Sequence, residues 1–152
     1  MKRLKDIITE KLRINKNIKI NQHNYQPKDI DELEKLINKL IKERGNKADL
    51  NDIDTSEITD MSDLFWSSKF NGDISEWDVS NVTNMKSMFD NCEFNGDISE
   101  WDVSNVTDMT RMFMDSEFNG DISDWDVSSV KNMDRMFNGT PLEKNPPKWY
   151  KK

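Results

Sequence analysis

Residues 70–89 read FNGDISEWDVSNVTNMKSMF, and residues 94–113 and 118–137 repeat this stretch almost letter for letter, with a period of 24 residues. A more divergent copy precedes them at residues 46–65, and a partial copy ends the chain at residues 142–152. A fixed period of about 20–50 residues is typical of proteins in which each unit packs only on its neighbours. The repeat is therefore the feature that decides the fold.

The apolar residues within one repeat predict a strand followed by a short helix. Ile74, Trp77 and Val79 have the spacing of a leucine-rich-repeat strand. The apolar residues that follow recur at three and four, the spacing of one helix face, and they are Val82, Met85, Met88 and Phe89. We therefore expect an α/β fold, a right-handed leucine-rich-repeat-like solenoid of about four 24-residue strand–turn–helix coils with a helical N-terminal cap.

Large side chains at fixed repeat positions predict one shared core. A single 24-residue unit cannot bury its own apolar face, whereas stacked units bring equivalent side chains together in columns. The expected structural core residues are Trp77, Trp101, Trp125, Phe89, Phe113 and Phe137. Between the repeats, the pair Asn71-Gly72 predicts a turn, because glycine adopts positive φ without steric cost.

The chain divides into three predicted segments. Residues 1–45 form an N-terminal cap with a helix, a short strand and an amphipathic helix, residues 46–141 form the repeat region, and residues 142–152 form a C-terminal half-repeat cap. The amphipathic helix is predicted from residue 30 to about residue 44. The first helix and the strand of the cap are predicted from Leu4, Ile7, Ile8, Leu12, Ile18 and Ile20.

Charge is distributed unevenly along the chain. Residues 1–45 hold 12 basic and 7 acidic residues, a net charge of +5, whereas residues 46–152 hold 10 and 22, a net charge of −12. An acidic body of this kind repels nucleic acid and anionic membranes. No stretch approaches the roughly 18 apolar residues of a membrane span. We therefore expect neither a nucleic-acid partner nor membrane insertion.

Carboxylates flank each repeat tryptophan and form two rows. One row consists of Asp52, Glu76, Glu100 and Asp124, and the other of Asp54, Asp78, Asp102 and Asp126. Like charges on neighbouring strands, about 4.8 Å apart, repel by several tenths of a kcal/mol per pair. The rows can bond turn amides and Ser or Asn neighbours, bind a basic protein partner, bind Ca²⁺, or mimic the DNA phosphate backbone. The residues assigned to partner binding are Glu76, Asp78, Glu100, Asp102, Asp124 and Asp126.

The composition argues against an enzyme. His23 is the single histidine and Cys92 the single cysteine, so the chain holds no multi-histidine metal site and no intramolecular disulfide. Paired carboxylates are typical of glycoside hydrolysis, but here they recur in every repeat, whereas an active site is a unique irregularity. We expect no catalytic residue, no metal, no cofactor and a monomer.

The unit F-N-G-D-I-S-x-W-D-V-S-N-V-T-x-M-x-x-M-F closely resembles the BspA-like leucine-rich repeat, also described as the mycoplasma-type surface lipoprotein repeat of about 25 residues. The resemblance covers roughly residues 46–152, including the ending PLEKNPPKW at residues 141–149. It implies adhesion or protein–protein interaction without catalysis. It also implies a protein of bacterial surfaces, with homologues in protists and in large or tailed viruses.

The first residues bear on localisation. The basic start at residues 1–5 is followed by Asp6 and not by an apolar segment of about 7–15 residues, so no signal peptide is visible. This predicts a cytoplasmic protein, or one of the host cytoplasm if the source is viral, although the family is mostly cell-surface or secreted. Two other functions stay open, a structural spacer or fragment of a longer bacterial surface protein, and a small phage-encoded acidic inhibitor.

Overall fold

The computed structural model describes residue 3 and residues 23–152. The first cap helix and the short strand predicted between residues 4 and 20 lie outside the described residues. The described part begins with a short segment whose Tyr25 makes a parallel bridge to Ile53 of the first repeat. A helix follows, and the four repeats come after it.

The helix α1 spans Ile30–Arg44, as its apolar stripe predicts. Asp29 caps its N-terminus by accepting a hydrogen bond from the backbone N–H of Glu32 at 2.9 Å. Gly45 ends it with a φ of 89° and donates its N–H to the carbonyl of Ile41. The buried side of α1 consists of Leu33, Ile37 and Leu40, which belong to the same hydrophobic core as the repeats. The helix therefore covers apolar surface that the repeats contribute.

Each repeat is a series of turns. In the second repeat, the N–H groups of Trp77, Val82 and Met88 each donate to the carbonyl three residues earlier. Both ends of each of these turns are buried apolar residues, namely Ile74 and Trp77, Val79 and Val82, and Met85 and Met88. The apolar spacing of three therefore comes from turns whose first and last side chains both enter the core.

Backbone hydrogen bonds also join successive repeats. Between the turn-closing bonds, alternate N–H groups donate to the next repeat at 2.8–2.9 Å, from Met85, Ser87, Phe89 and Asn91 to the carbonyls of Asp108, Thr110, Met112 and Met114. Ser87 and Asn91 have φ values of 53° and 54°. A positive φ breaks an α-helix and suits the third residue of a type II turn. The stretch with helical apolar spacing is consequently not a helix.

The prediction of an α/β leucine-rich-repeat-like solenoid is wrong. Within the described residues, α1 is the one α-helix, and parallel pairing is confined to isolated bridges such as those joining Asp60, Asn84, Asp108 and Asn132 in sequence. The described residues form no β-strand and no sheet. The predicted strand fails because the Trp77 N–H bonds back to Ile74 within its own repeat and so does not join a ladder.

Equivalent aromatic side chains stack along the core. The rings of Trp77 and Trp101 lie 6.5 Å apart at an interplanar angle of 1°, and those of Phe89 and Phe113 lie 5.6 Å apart, also at 1°. All six residues predicted for the core are at most 5% exposed. The indole Nε1 atoms of Trp77, Trp101 and Trp125 also donate to backbone carbonyls 27 residues earlier, at 3.0–3.2 Å.

Glycine is needed in the repeats for close packing. A Cβ on Gly96 would lie 2.6 Å from Phe94 Cε2 and 3.1 Å from the carbonyl oxygen of Gly72. A Cβ on Gly72 would collide with the carbonyl oxygen of Ala48. The positive φ expected at Gly72 is wrong, because the repeats place their positive φ values at residues such as Ser87.

Candidate functional site: the acidic face

The two predicted carboxylate rows are joined by a third. It consists of Asp49, Asp73, Asp97 and Asp121, again 24 residues apart. From the second repeat onward every carboxylate of the three rows is exposed. The six residues predicted for partner binding, Glu76, Asp78, Glu100, Asp102, Asp124 and Asp126, are therefore all at the surface. We call the three rows together the acidic face.

Aspartates of the acidic face form local turns with a serine two residues later. Oδ1 of Asp102 accepts from the backbone N–H of Ser104 at 3.1 Å and from its hydroxyl at 2.6 Å. Oδ1 of Asp97 does the same with Ser99 at 3.0 and 2.7 Å. The interpretation that aspartates bond turn amides and neighbouring Ser or Asn residues is thus confirmed for one oxygen of each aspartate in the rows that begin with Asp49 and Asp54.

The same serines hold these carboxylates in their ionised form. The Ser104 hydroxyl, followed by its N–H, lowers the pKa of Asp102 below the ordinary value, against an opposing contribution from Asp126. The pKa of Asp97 is lowered in the same way by Ser99, against the charge of Asp73. The opposing contributions show that neighbouring carboxylates of a row interact, and the lowered pKa values show that the hydrogen bonds prevail.

A local turn does not by itself require a charged residue. In another column of the repeats, Asp60, Asn84, Asp108 and Asn132 each accept from the backbone N–H two residues later at 2.8–3.0 Å. Asn therefore accepts this N–H at the same distances as Asp does. The two turn-forming rows of the acidic face nevertheless contain Asp at every position, including Asp49 and Asp54 of the divergent first repeat. Closing the turn requires an oxygen that accepts a hydrogen bond at these positions. It does not require the negative charge of Asp.

At its N-terminal edge the acidic face holds a guanidinium of the chain itself. Arg44, the last residue of α1, donates Nη1 to Oδ1 and Nη2 to Oδ2 of Asp52 at 2.9 and 3.0 Å. Its Nη1 also donates to the carbonyl of Asp49 at 2.9 Å. These bonds from Arg44 are the largest cause of the lowered pKa of Asp52. His23 lies nearby, with Nδ1 3.9 Å from Oδ2 of Asp54.

Sequence reasoning missed the Arg44–Asp52 pair. The alternating charges of α1 favour an ordinary solvated helix face, and this interpretation gave the basic residues of the helix no partner. The pair could have been predicted from the positions of its two residues in the sequence. Arg44 is the last helical residue, and Asp52 belongs to the first copy of a carboxylate row.

A second group of polar residues lies at non-repeating positions. Asp90 is buried and pairs with Arg111, whose Nη2 lies 2.9 Å from Oδ2 of Asp90. Burial, aided by the charges of Asp115 and Asp63, raises the pKa of Asp90. Trp66, which occupies the equivalent position one repeat earlier, is 61% exposed. The sequence pattern did not single out these residues, since they interrupt the repeat.

Cys92 is buried in the core. Burial raises the pKa of its thiol to about 11, and its Sγ donates to the carbonyl of Phe70 at 3.6 Å. Ser68 and Ser116, one repeat away on either side, use their hydroxyls to accept from the N–H groups of Phe70 and Phe118. Cys92 thus fills a small-residue position of the repeat and is protonated at neutral pH.

The described part of the chain holds neither a grouped set of metal ligands nor a membrane-spanning helix. Among residues 23–152, no three His, Cys, Asp or Glu side chains are grouped so that they could hold a metal ion. Over the same residues, none of the helical structure has both the length and the apolar character needed to cross a bilayer. The calcium interpretation of the rows gains no support from these findings.

Comparison with known proteins gives a family without an assigned activity. Residues 32–149 match the family model described as a Mycoplasma protein of unknown function, DUF285. The match begins inside α1 and ends in the partial copy of the repeat, so it includes the whole acidic face. No curated protein and no solved structure matches the chain.

Proposed function

We propose that this chain, which belongs to the family of Mycoplasma proteins of unknown function DUF285, is a non-catalytic protein–protein interaction or adhesion module that binds a basic partner through the acidic face. The observation that carries the proposal is that Asp occupies every position of the two turn-forming rows, whereas a turn elsewhere in the repeat is closed by Asn as well as by Asp. Repeated negative charge at exposed positions opposes folding through repulsion, so it needs another reason. A basic partner supplies that reason.

The resemblance of the repeat to BspA-like repeats supports the same proposal. Members of that family are mostly surface or secreted proteins that act in adhesion or protein interaction, and the resemblance implies that role here. The family model matched by the chain assigns no function, so the binding role rests on the acidic face and on this resemblance together.

The electrostatics of the acidic face favour rapid, salt-sensitive association. Within it, the hydroxyls and backbone N–H groups of Ser99 and Ser104 lower the pKa values of Asp97 and Asp102, so these two carboxylates are ionised at neutral pH. Successive carboxylates of a row follow the repeat spacing, so a partner meets a regular array of charge. Arrays of one sign increase association rates and are screened over about 8–10 Å at physiological salt.

The proposal is tested with a defined basic probe, fluorescently labelled decalysine, in anisotropy titrations at low and physiological salt. The triple variant Asp78→Asn, Asp102→Asn and Asp126→Asn removes three charges while keeping the oxygen that closes each turn. We expect it to weaken decalysine binding by roughly fivefold or more, since exposed ion pairs each contribute about 0.2–1 kcal/mol.

The matched control removes three charges elsewhere, in the variant Glu93→Gln, Glu117→Gln and Asp134→Asn. We expect less than about a twofold change in affinity from this control, because its residues lie outside the three rows and act only through screened long-range charge. Equal weakening by both triple variants, or no binding of decalysine to the parent protein, would refute the assigned face.

A further inference from the structure

Three repeats carry the dipeptide Asn-Gly at the same position. They share the sequence FNGDIS, and the pairs are Asn71-Gly72, Asn95-Gly96 and Asn119-Gly120. An asparagine followed by glycine can modify itself, because no Cβ obstructs the approach of the glycine nitrogen to the asparagine side chain. The nitrogen bonds to Cγ of the asparagine, and the side-chain amide leaves as ammonia with the proton of the glycine N–H. Water then opens the resulting succinimide to aspartate or isoaspartate.

The following repeat holds two of these three side chains. Oδ1 of Asn71 accepts from the backbone N–H of Asn95 at 2.9 Å, and Oδ1 of Asn95 accepts from that of Asn119 at 2.8 Å. Each amide is thereby fixed to a neighbouring backbone and must break this bond before its Cγ turns toward the nitrogen of its own glycine. Since one hydrogen bond stabilises by a modest net amount, the reactive fraction falls about fivefold.

Asn119 has no such partner, because the last full repeat is not followed by an equivalent backbone. The residue 24 positions later is Glu143, whose N–H donates to the carbonyl of Thr140 at 3.1 Å within the C-terminal segment. Among residues 23–152 no donor bonds the side chain of Asn119. The amide of Asn119 is therefore free to turn where its two equivalents are held.

Asn119 and Gly120 are also open to water. Both residues line an open cleft of about 710 Å³ together with Pro146 and Pro147 of the C-terminal segment. They also line an open groove of about 470 Å³ that they share with Asn95. The N–H of Gly120 meets no acceptor within the described part of the chain, so nothing there holds the attacking nitrogen. Water, the one co-reactant of the reaction, reaches the pair from both cavities.

A fourth Asn-Gly pair, Asn138-Gly139, is held by its backbone. The N–H of Asn138 donates to the carbonyl of Arg135 at 3.3 Å, and the carbonyl of Asn138 accepts from the N–H of Asp115 at 2.8 Å. The N–H of Gly139 donates to Oε2 of Glu143 at 3.1 Å. The nitrogen that would attack is thus bonded, and so is the residue that it would attack. We therefore expect this pair to react more slowly than Asn119.

We propose that Asn119 is a site of spontaneous modification, at which the side chain cyclises with the backbone nitrogen of Gly120 and hydrolyses to aspartate or isoaspartate. The equivalent side chains of Asn71 and Asn95 are protected by the repeat that follows each of them. The reaction replaces a neutral amide by a carboxylate two residues before Asp121 of the acidic face. Negative charge at the C-terminal end of that face therefore rises with the age of the protein. This chemistry is independent of the partner named in the proposed function.

The test incubates the full chain at mildly alkaline pH, folded in buffer and unfolded in guanidinium chloride. Mass spectrometry of proteolytic peptides locates the exchange of NH₂ for OH at each site. In the unfolded chain the three FNGDIS copies should react at equal rates, because their local sequences are identical. In the folded chain we expect Asn119 to react about fivefold faster than Asn71 and Asn95. Equal rates at the three sites of the folded chain, or a slower reaction at Asn119, would overturn the proposal.

The variant Gly120→Ala identifies the attacking nitrogen. The added methyl group obstructs the approach of this nitrogen to Cγ, so the rate at Asn119 should fall to that of Asn71 or below, while Asn71 and Asn95 react as in the parent protein. An unchanged rate at Asn119, or an equal loss at all three sites, would contradict cyclisation through Gly120. Measurement in guanidinium chloride gives the same comparison between the sites if the variant does not fold.

Discussion

Two sets of side chains repeat every 24 residues, the aromatic columns inside and the carboxylate rows outside, and they contribute to stability in opposite ways. Rings in the columns stack nearly parallel, as Trp77 on Trp101 and Phe89 on Phe113 do, and bury large apolar areas. Carboxylates in the rows repel one another, as the opposing effects of Asp126 on Asp102 and of Asp73 on Asp97 show.

The difference shows that exact repetition has two separate causes in this protein. Within the core, repetition is a packing requirement, because rings contact their equivalents in neighbouring repeats, as Phe89 contacts both Phe65 and Phe113. On the surface, packing makes no such demand, and the column of Asp60, Asn84, Asp108 and Asn132 shows that one turn of the repeat tolerates exchange of Asp for Asn. Under the proposed function, a basic partner accounts for the repetition of charge on the surface.

The largest expected effect on stability comes from Trp101→Ala, which tests the packing of the aromatic columns. The substitution removes a buried ring that stacks on Trp77 and a hydrogen bond to the carbonyl of Ile74, so we expect the free energy of unfolding to fall by about 3–5 kcal/mol. Urea denaturation measures the loss. Trp66→Ala is the matched control, and because Trp66 is 61% exposed its effect should be within about 0.5 kcal/mol. Similar losses from both variants would contradict the assignment of the tryptophan column to the core.

Three Gly→Ala variants test the close packing of the repeats, and their expected losses of stability are smaller than that of Trp101→Ala. Gly72→Ala directs a Cβ into the backbone oxygen of Ala48, whereas in Gly120→Ala the three atoms nearest the new Cβ all belong to the Phe118 side chain, the first at 2.7 Å. Gly96→Ala is intermediate, with Phe94 at 2.6 Å and a backbone oxygen at 3.1 Å. We expect losses of about 1–3 kcal/mol that decrease from Gly72 to Gly96 to Gly120, measured by thermal unfolding. The reverse order would show that ring displacement and not backbone approach limits the spacing of the repeats.

Much of the residue pattern could be read from the sequence because it follows from period alone. The 24-residue repeat placed Trp77 and Phe89 with their equivalents, and the apolar stripe located α1 at Ile30–Arg44. The exposed positions of Glu76 and Asp78 followed from their place between apolar residues. These inferences needed only the alternation of buried and exposed positions.

The secondary structure within the repeat could not be read in this way. Apolar residues spaced by three occur on a helix face and also at the two ends of a four-residue turn, so Met85 and Met88 fit both. The deciding features were the positive φ values of Ser87 and Asn91, which no glycine marks in the sequence. At Gly72 the sequence predicted a positive φ that the structure does not show. Glycine is needed there because a Cβ would collide with the carbonyl oxygen of Ala48.

The candidate site was anticipated in part. The carboxylate rows are visible in the sequence, as is the possibility that they bond neighbouring serines. The partner of Asp52 was not visible, because Arg44 lies outside the repeat and reaches Asp52 only when α1 packs on the first repeat. The ion pair of Asp90 and Arg111 was hidden likewise, since it joins non-equivalent positions of two repeats.

The smallest expected change in stability comes from removing a serine hydroxyl that bonds an aspartate of the acidic face. Measurements at two pH values distinguish this electrostatic contribution from a contribution of packing. The Ser104 hydroxyl is the largest cause of the lowered pKa of Asp102, so this carboxylate adds stability above the ordinary Asp pKa of about 3.9, and that contribution is lost as the pH falls through its folded pKa. Ser104→Ala should therefore lower the free energy of unfolding by at most about 1 kcal/mol at pH 7, and by less at about pH 2.5, as measured by urea denaturation.

Ser62→Ala is the matched control, because Ser62 donates its backbone N–H to Asp60 at 2.9 Å and its hydroxyl makes no bond to that carboxylate. Its effect should be the same at both pH values. A loss in Ser104→Ala that is equally large at low pH would mean that the hydroxyl supports the turn through packing alone. The ionised state of the acidic face would then depend on solvent, and the serines that accompany its aspartates would contribute to the fold and not to the charge that a basic partner meets.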